Sequence, residues 1–551
     1  MPLFENVFYE IAALLAIAAV VGAIGVWLRQ PLIVSFIAAG ILVGPSGFEW
    51  VAASDQVDLL AKIGIALLLF VVGLKLDLHI IRTLGPVALA TGLGQVLFTS
   101  IIGYFIAVAL GMTPLTALYV AVALTFSSTI IIVKLLSDKK EIDALHGRIA
   151  VGFLIVQDIV VVLVMIGLTA LGVGAETAPG QFGLQMLSVL VKGLTMLAVV
   201  ALLMRYVLPR LTRHLALSVE LLVLFAIAWA VLLASIGDAL GFSKEVGAFL
   251  AGVSLASTPF RETIGARLVG LRDFLLLFFF IDLGAGLEMA TLGAQLNAAV
   301  ILSLFVLIGN PLIVMIIMGV MGYRKRTGFL AGLTVAQISE FSLIMVALGL
   351  SLGHLEVETV GLVTLVGLIT ISGSTYMILY SHVLYERLAP WLTVFERRHP
   401  HREATYGGES EGNEDTIVLG LGRYGRAVSQ ILRQRGCNVL GVDFDPETVR
   451  LLQRDGYAIL YGDAEDPEFL GSLPLGRVKW VISTAPERQV NLALLQGLRH
   501  HAYRGQVAVT AHSPHDAERL QHAGADLVLL PFADAAKEAV DRLLAVTDVK
   551  Q

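Results

Sequence analysis

The sequence predicts a polytopic α-helical membrane domain followed by a soluble α/β domain. Three observations predict it. Of the 551 residues, 57% are hydrophobic and 15% charged, with a mean hydropathy of +0.82, far from an ordinary soluble composition. The apolar residues are concentrated: long runs reach about Tyr385, and from about Glu396 the chain turns to frequent Asp, Glu, Arg and His. That polar tail carries a glycine-rich turn, Gly420-Leu421-Gly422-Arg423-Tyr424-Gly425, between a strand-like and a helix-like segment. The net charge of −6 says little, because position matters more than total in such a chain. The single cysteine, Cys437, excludes an intrachain disulfide framework. The first apolar run lacks the basic leader of a cleavable signal and is long enough to span.

Runs of about 20 apolar residues give thirteen spans, near 7–28, 31–46, 57–75, 84–110, 114–136, 147–172, 184–208, 216–236, 243–258, 270–288, 293–322, 327–351 and 356–386. The connections alternate in charge. After odd-numbered spans come Arg29; Lys75 and Arg82; Lys139, Lys140 and Arg148; Arg205, Arg210 and Arg213; Arg261, Arg267 and Arg272; Arg324, Lys325 and Arg326; and Arg387, Arg397 and Arg398. After even-numbered spans come Glu49 and Asp55, Glu176, Asp238, Glu288, and His354 with Glu356. Basic loops stay inside. The N-terminus is therefore expected outside a cell membrane and the tail in the cytoplasm. Residues 1–388 form the expected membrane domain, 389–414 a polar linker, and 415–551 the soluble domain.

Polar residues inside the spans carry the chemistry. Gln157-Asp158 lies in the middle of the sixth span. A carboxylate there is costly and marks an ion or proton path, unless a neighbouring helix holds it structurally. Gln157 adds a neutral oxygen suited to an alkali cation. The fifth span carries Thr125, Ser127, Ser128 and Thr129, hydroxyls that loosen a helix. The twelfth carries Thr334, Gln337, Ser339 and Glu340. Two interrupted spans, seven apart in order, are expected to be matching members of inverted repeats, crossing as broken helices around a midplane ion site. The alternative is that their small residues only let helices pack closely. Asp282, in the tenth span, is either a second functional acid or an acid near a span end. Lys244-Glu245 reads as an interfacial ion pair.

In the tail, a strand over Thr416–Leu421 runs into the glycine turn, then a helix to about Arg435, then a strand over Asn438–Val442 closed by Asp443. Strand, glycine turn, helix and acid in that order form the dinucleotide-binding arrangement. Gly420, Gly422 and Gly425 allow the tight turn and close approach of a pyrophosphate, and Asp443 can accept from ribose hydroxyls. Further strands at 458–461, 480–483, 507–510 and 527–530 complete a six-stranded Rossmann-like domain, with or without a bound nucleotide.

These residues resemble the second monovalent cation:proton antiporter branch, the Kef type with a C-terminal RCK (TrkA-N) domain. The resemblance rests on Gly44-Pro45, Phe70 to Asp77 with Gly73, Ser127-Ser128-Thr129, Gln157-Asp158, Gly247 to Gly252, Gln337 to Phe341, the three tail glycines, Val442 to Glu447 and Tyr461 to Ala464. It implies a core domain with two crossed discontinuous helices, a separate dimerisation domain, and RCK domains pairing across a homodimer. Asp158 would bind cation and proton in turn, with Gln157 resembling the potassium-handling members. Glu340 joins the ion- and proton-binding set. The tail would bind an adenine nucleotide (AMP, ATP or NAD(H)) through the glycine turn with Arg423 and through Asp443, Asp445, Asp463 and Ala464, and gate transport. The chain departs from the pattern at Asn310, where relatives carry a lysine, and at Asp282, where they carry a small hydroxyl residue.

The expected function is secondary exchange of a monovalent cation, K⁺ first, for protons at Asp158, with membrane lipid as surroundings and no nucleic-acid partner. A Na⁺/H⁺ antiporter and a nucleotide-gated K⁺ channel-like pathway are the alternatives, although no TVGYG filter is present. A membrane-anchored NAD-dependent oxidoreductase is disfavoured, since no substrate domain accompanies the Rossmann-like tail; no enzymatic activity is expected.

Overall fold

The computed structural model describes residues 7–44, 47–48, 55–75, 85–139, 141–142, 144–174, 182–240, 242–287, 289–397, 414–464 and 467–548. Pro45, Asp77 and linker residues 398–413 lie outside them. The chain divides into two compact units, one built mainly from residues up to Phe395 and the other mainly from Glu396 onward.

Among the described residues, the first unit is helical. Its helices are α1 (Val7–Trp27), α2 (Leu32–Val43), α3 (Asp55–Lys75), α4 (Gly85–Ala109), α5 (Pro114–Ala123), α6 (Thr129–Asp138), α7 (Leu145–Gly174), α8 (Phe182–Tyr206), α9 (Leu208–Leu215), α10 (Val219–Ala239), α11 (Lys244–Ala256), α12 (Arg261–Ala285), α13 (Met289–Leu304), α14 (Asn310–Met321), α15 (Lys325–Leu333), α16 (Glu340–Ser351), α17 (Val357–Leu379) and α18 (Ser381–Leu392). Each expected span contains a helix. Among the described residues, however, only seven helices, or eight counting the bent pair α8–α9, are long and apolar enough to cross a membrane singly. The difference has three sources. The fifth and twelfth spans are each broken in two, α2 and α11 are short, and α12 carries Arg267, Arg272, Asp273 and Asp282 along its length.

Two helix groups make up this unit. In one, α3 packs against α11 and α12, α2 against α12, and α10 against α11. Glycines permit the approach: a Cβ on Gly252 would run into the Phe70 carbonyl, and one on Gly40 into the Ile281 carbonyl. The small residues between Gly247 and Gly252 are thus a helix-packing surface. In the other group α5 packs on α4 and α16, and α17 on α13 and α16.

The second unit is a parallel six-stranded sheet in the order β3-β2-β1-β4-β5-β6, from β1 (Thr416–Leu419), β2 (Val439–Asp443), β3 (Ile459–Tyr461), β4 (Trp480–Ser483), β5 (Gln506–Thr510) and β6 (Leu527–Leu529). The helices between them are α19 (Arg423–Gln434), α20 (Pro446–Arg454), α21 (Pro467–Ser472), α22 (Arg488–His500) and α23 (Pro514–His522), and α24 (Pro531–Asp548) follows β6. This is the doubly wound dinucleotide-binding order, with the switch point between β1 and β4.

Candidate functional site

The fifth span breaks between α5 and α6, the twelfth between α15 and α16. In lipid every freed backbone group needs a partner, and the surrounding side chains supply them. Ser128 caps α6, its hydroxyl accepting from Ile131 N at 3.3 Å. Ser339 caps α16, accepting from Phe341 N at 3.1 Å. Thr125 turns its hydroxyl back to Val122 O (2.7 Å), and Thr370 accepts from Ile338 N (3.3 Å).

The breaks touch. Ser127 Oγ donates to Gln337 O at 3.1 Å, and Ser342 Oγ to Ala123 O at 2.6 Å. Asn310 spans both, its amide donating to Leu124 O (3.0 Å) and Val335 O (3.3 Å). These are carbonyls near the C-terminal ends of α5 and α15, the partially negative poles of those helices. A π-helical turn, Phe305–Gly309, leads into Asn310; Pro311, lacking an N–H, cannot continue the regular ladder there.

Asp158 sits beside this crossing. Thr129 Oγ1, at the first position of α6, donates to Asp158 Oδ2 at 2.9 Å. Asp158 is half-buried, whereas Gln157 is fully buried. Adjacent helix residues point about 100° apart, and Gln157 faces elsewhere. Its Oε1 accepts from Ser127 N (3.0 Å) and its Nε2 donates to Gln95 Oε1 (2.7 Å). Gln157 therefore ties the α7 helix to the first break.

The structure brings together Asp158, Gln157, Thr125, Ser127, Ser128 and Asn310. Glu340 is buried in the first turn of α16, with Ser339 Oγ at 3.4 Å. Asp282 has as charged neighbours Asp58 and Lys62 of α3, themselves paired. Lys244 pairs with Asp238 at 3.9 Å and not with Glu245. Sequence reading missed Gln95 and Thr99. Gln95 Nε2 donates to Thr125 O (3.1 Å) and to Thr99 Oγ1 (3.1 Å), and Thr99 Oγ1 donates to Asn310 Oδ1 (2.9 Å). The signal was present in Thr91, Gln95 and Thr99, a polar row at i, i+4 and i+8 on an otherwise apolar helix.

In the second unit the glycine turn has two distinct requirements. Gly420 adopts φ +84°, and a Cβ on Gly425 would run into the Gly420 carbonyl; both are demanded by the fold. Gly422 is exposed, and a Cβ there would meet no protein atom within 4 Å. The open face above the N-terminus of α19 thus fits a phosphate group, with Arg423 exposed beside it. Asp443 holds the turn: its carboxylate accepts from Leu421 N (2.5 Å) and Asp445 N (2.9 Å). Burial pushes its carboxyl up against the lowering effect of those amides. Asp445 caps α20, accepting from Glu447 N at 3.0 Å and Thr448 N at 3.3 Å. Asp463 and Ala464, just after β3, are half-buried.

Comparison with known proteins agrees with this division. Residues 14–379 match the family model described as sodium/hydrogen exchanger, transmembrane, and residues 416–531 match the TrkA-N domain. A relative from Escherichia coli K12, named putative cation/proton antiporter YbaL, is 25% identical over 96% of this chain and 96% of its own. The glutathione-regulated potassium-efflux system protein KefC of Salmonella heidelberg is 28% identical over 92% of this chain and 80% of its own. Among solved structures, the sodium proton antiporter MjNhaP1 of Methanocaldococcus jannaschii aligns over 69% of this chain and 98% of its own, with 15% identity and a TM-score of 0.49. The chain belongs to the sodium/hydrogen exchanger family, its membrane domain followed by a TrkA-N domain.

Proposed function

We propose that the chain exchanges a monovalent cation for protons at Asp158, under control of a nucleotide bound to the TrkA-N domain. The observation that carries this reading is the setting of Asp158: a half-buried carboxylate at the N-terminal end of α6, beside two broken helices whose other polar groups are largely paired with one another. A deprotonated carboxylate binds the cation and a protonated one releases it. One site cannot hold both, and that competition couples the flows. Thr129 orients the carboxylate. Glu340 is the second acid at the crossing, and Asp282 lies on a separate approach. The core group then moves against the α3–α11–α12 group to expose the site alternately.

Asn310 makes its bonds without a charge. One proton for one monovalent cation at a single carboxylate is electroneutral, and this is the stoichiometry proposed. Potassium is placed first because the full-length relatives include a potassium-efflux protein by name. Sodium remains the second reading, since Gln157 spends its amide on Ser127 and Gln95. The alternating loop charges support a cytoplasmic TrkA-N domain. The glycine turn, with Asp443 and Asp463, would hold the phosphates and ribose of AMP, ATP or NAD(H), in a homodimer joined through both units.

The test uses proteoliposomes loaded with a pH-sensitive dye. Addition of K⁺ or Na⁺ is expected to drive proton flux insensitive to membrane voltage, and Asp158→Asn to abolish it. Full exchange by the Asp158→Asn protein would end the assignment.

A further inference from the structure

The three glutamines at the crossing are not used alike. Gln95 and Gln157 spend both ends of their amides on neighbouring groups. Gln337, in the second break, does not. Its side chain is wholly buried, and its Oε1 accepts from Ser374 Oγ on α17 at 2.7 Å. Among the described residues nothing accepts from its Nε2. Buried amide hydrogens are nearly always paired, so an orphan inside an otherwise bonded crossing marks a group kept for another use.

The place of Gln337 is specific. Its main-chain carbonyl is the one that accepts from Ser127 Oγ, at 3.1 Å, where the two breaks meet. Thr129, two residues beyond Ser127, holds Asp158. The backbone on either side is pinned: Val335 O accepts from Asn310 Nδ2 (3.3 Å), and Ile338 N donates to Thr370 Oγ1 (3.3 Å). The chain cannot shift to find the amide a partner. Only the end of the side chain is free to change.

Ser374 allows that change. An amide nitrogen only donates and its oxygen only accepts, so half a turn about the last side-chain bond exchanges the two roles. As the structure stands, Ser374 gives its hydrogen to Gln337 Oε1. Ile371 O lies within reach of the same hydroxyl, at 3.2 Å. After the half turn Gln337 Nε2 donates to Ser374 Oγ, and Ser374 gives its hydrogen to Ile371 O. The amide nitrogen and the hydroxyl then each have a partner. The group left over is Oε1, a neutral hard oxygen of the kind that an alkali cation takes. A free N–H offers a cation nothing.

We propose that Gln337 is a ligand of the transported cation, giving it Oε1 at the crossing, and that Ser374 competes with the ion for that oxygen. The inference rests on the exchange reading and adds a residue to it. The neutral oxygen that the sequence suggests at Gln157 comes instead from the second break. When the ion leaves, Ser374 takes the oxygen back, so the empty site holds no bare carbonyl.

Two substitutions in the full-length protein are expected to act in opposite directions. Gln337→Leu keeps the volume and removes the oxygen, while Ser374 retains Ile371 O. In detergent without the ion it is expected to melt no lower than wild type. In proteoliposomes it is expected to raise the KM for K⁺ or Na⁺, whichever the wild type exchanges, roughly tenfold at unchanged kcat, the share of one neutral ligand. Ser374→Ala frees Oε1. It is expected to lower that KM severalfold and to enlarge the rise in melting temperature that the ion produces. A water held on Nε2 would leave the KM of both variants at the wild-type value, and that result would overturn the proposal. So would a raised KM in Ser374→Ala, or a Gln337→Leu protein that melts well below wild type. If neither ion drives flux, yet one of them raises the melting temperature and Gln337→Leu loses that rise, the ligand stands and the exchange reading falls. If neither ion moves flux or melting temperature, both fall.

Discussion

Ser127 Oγ donates to the main-chain carbonyl of Gln337 at 3.1 Å, joining two breaks 210 residues apart in sequence. This contact fixes where the spans cross, and Asn310 braces it from a third helix. The crossing is therefore a hydrogen-bonded unit, in which each polar group supports another's backbone.

Asn310→Ala removes the donor shared by Leu124 O and Val335 O and the acceptor used by Thr99. Each buried group left unpaired costs about 1–3 kcal/mol. The variant is expected to melt several degrees lower in detergent and to lose most exchange. Asn310→Asp should be worse, because a carboxylate cannot donate to either carbonyl and adds a further acidic group to the site. Melting curves and dye flux check both.

Gln95→Leu cuts the links to Gln157, Thr125 and Thr99 while leaving Asp158 and Thr129 in place. The expected loss is roughly tenfold in kcat/KM, the effect of one to two kcal/mol, with ion preference unchanged. Initial flux rates over a K⁺ series and a Na⁺ series measure it. A changed preference would instead make Gln95 a selectivity residue.

Two glycines of the turn, Gly422 exposed and Gly425 buried, separate fold from ligand. Gly425→Ala drives a methyl into the Gly420 carbonyl and is expected to lower the melting temperature of the TrkA-N domain. Gly422→Ala meets no protein atom. It should melt like wild type yet lose calorimetric heat with whichever of AMP, ATP, NAD⁺ or NADH the wild type binds.

Burial pushes the Tyr503 phenol up to about 12, with the nearby Asp526 carboxylate adding to the effect. Because the folded value lies above the unfolded one, the resulting stabilisation is complete below about pH 10 and is lost as pH rises towards 12. Tyr503 also donates to Val478 O (3.3 Å) and Gln506 O (3.4 Å). Tyr503→Phe is thus expected to be slightly less stable at neutral pH, with the gap closing between about pH 10 and 12. Denaturant melts of the TrkA-N domain transition across that range provide the measurement.

The strands of the second unit were legible to within a residue or two, because hydrophobic runs between turn residues are local signals. Gln157 shows the opposite case. Its place beside Asp158 made it look like a cation ligand, yet the helix turns the two side chains apart. Gln95 and Thr99 went unread because a polar row on a membrane helix that is apolar on its other faces stands against no polar face that would mark it.

The sequence by itself determined the two-part architecture, the positions of both broken spans, the six-stranded parallel tail and the family. These follow from composition, periodicity and motifs carried within short stretches of chain. Only the tertiary structure decided which polar group meets which: Ser127 with Gln337, Asn310 with both breaks, and Gln157 with Gln95. The physical reason is that helices apolar on every side carry no period to say which face points inward. Their partners are selected by the need to satisfy each buried polar group wherever the folded chain brings it.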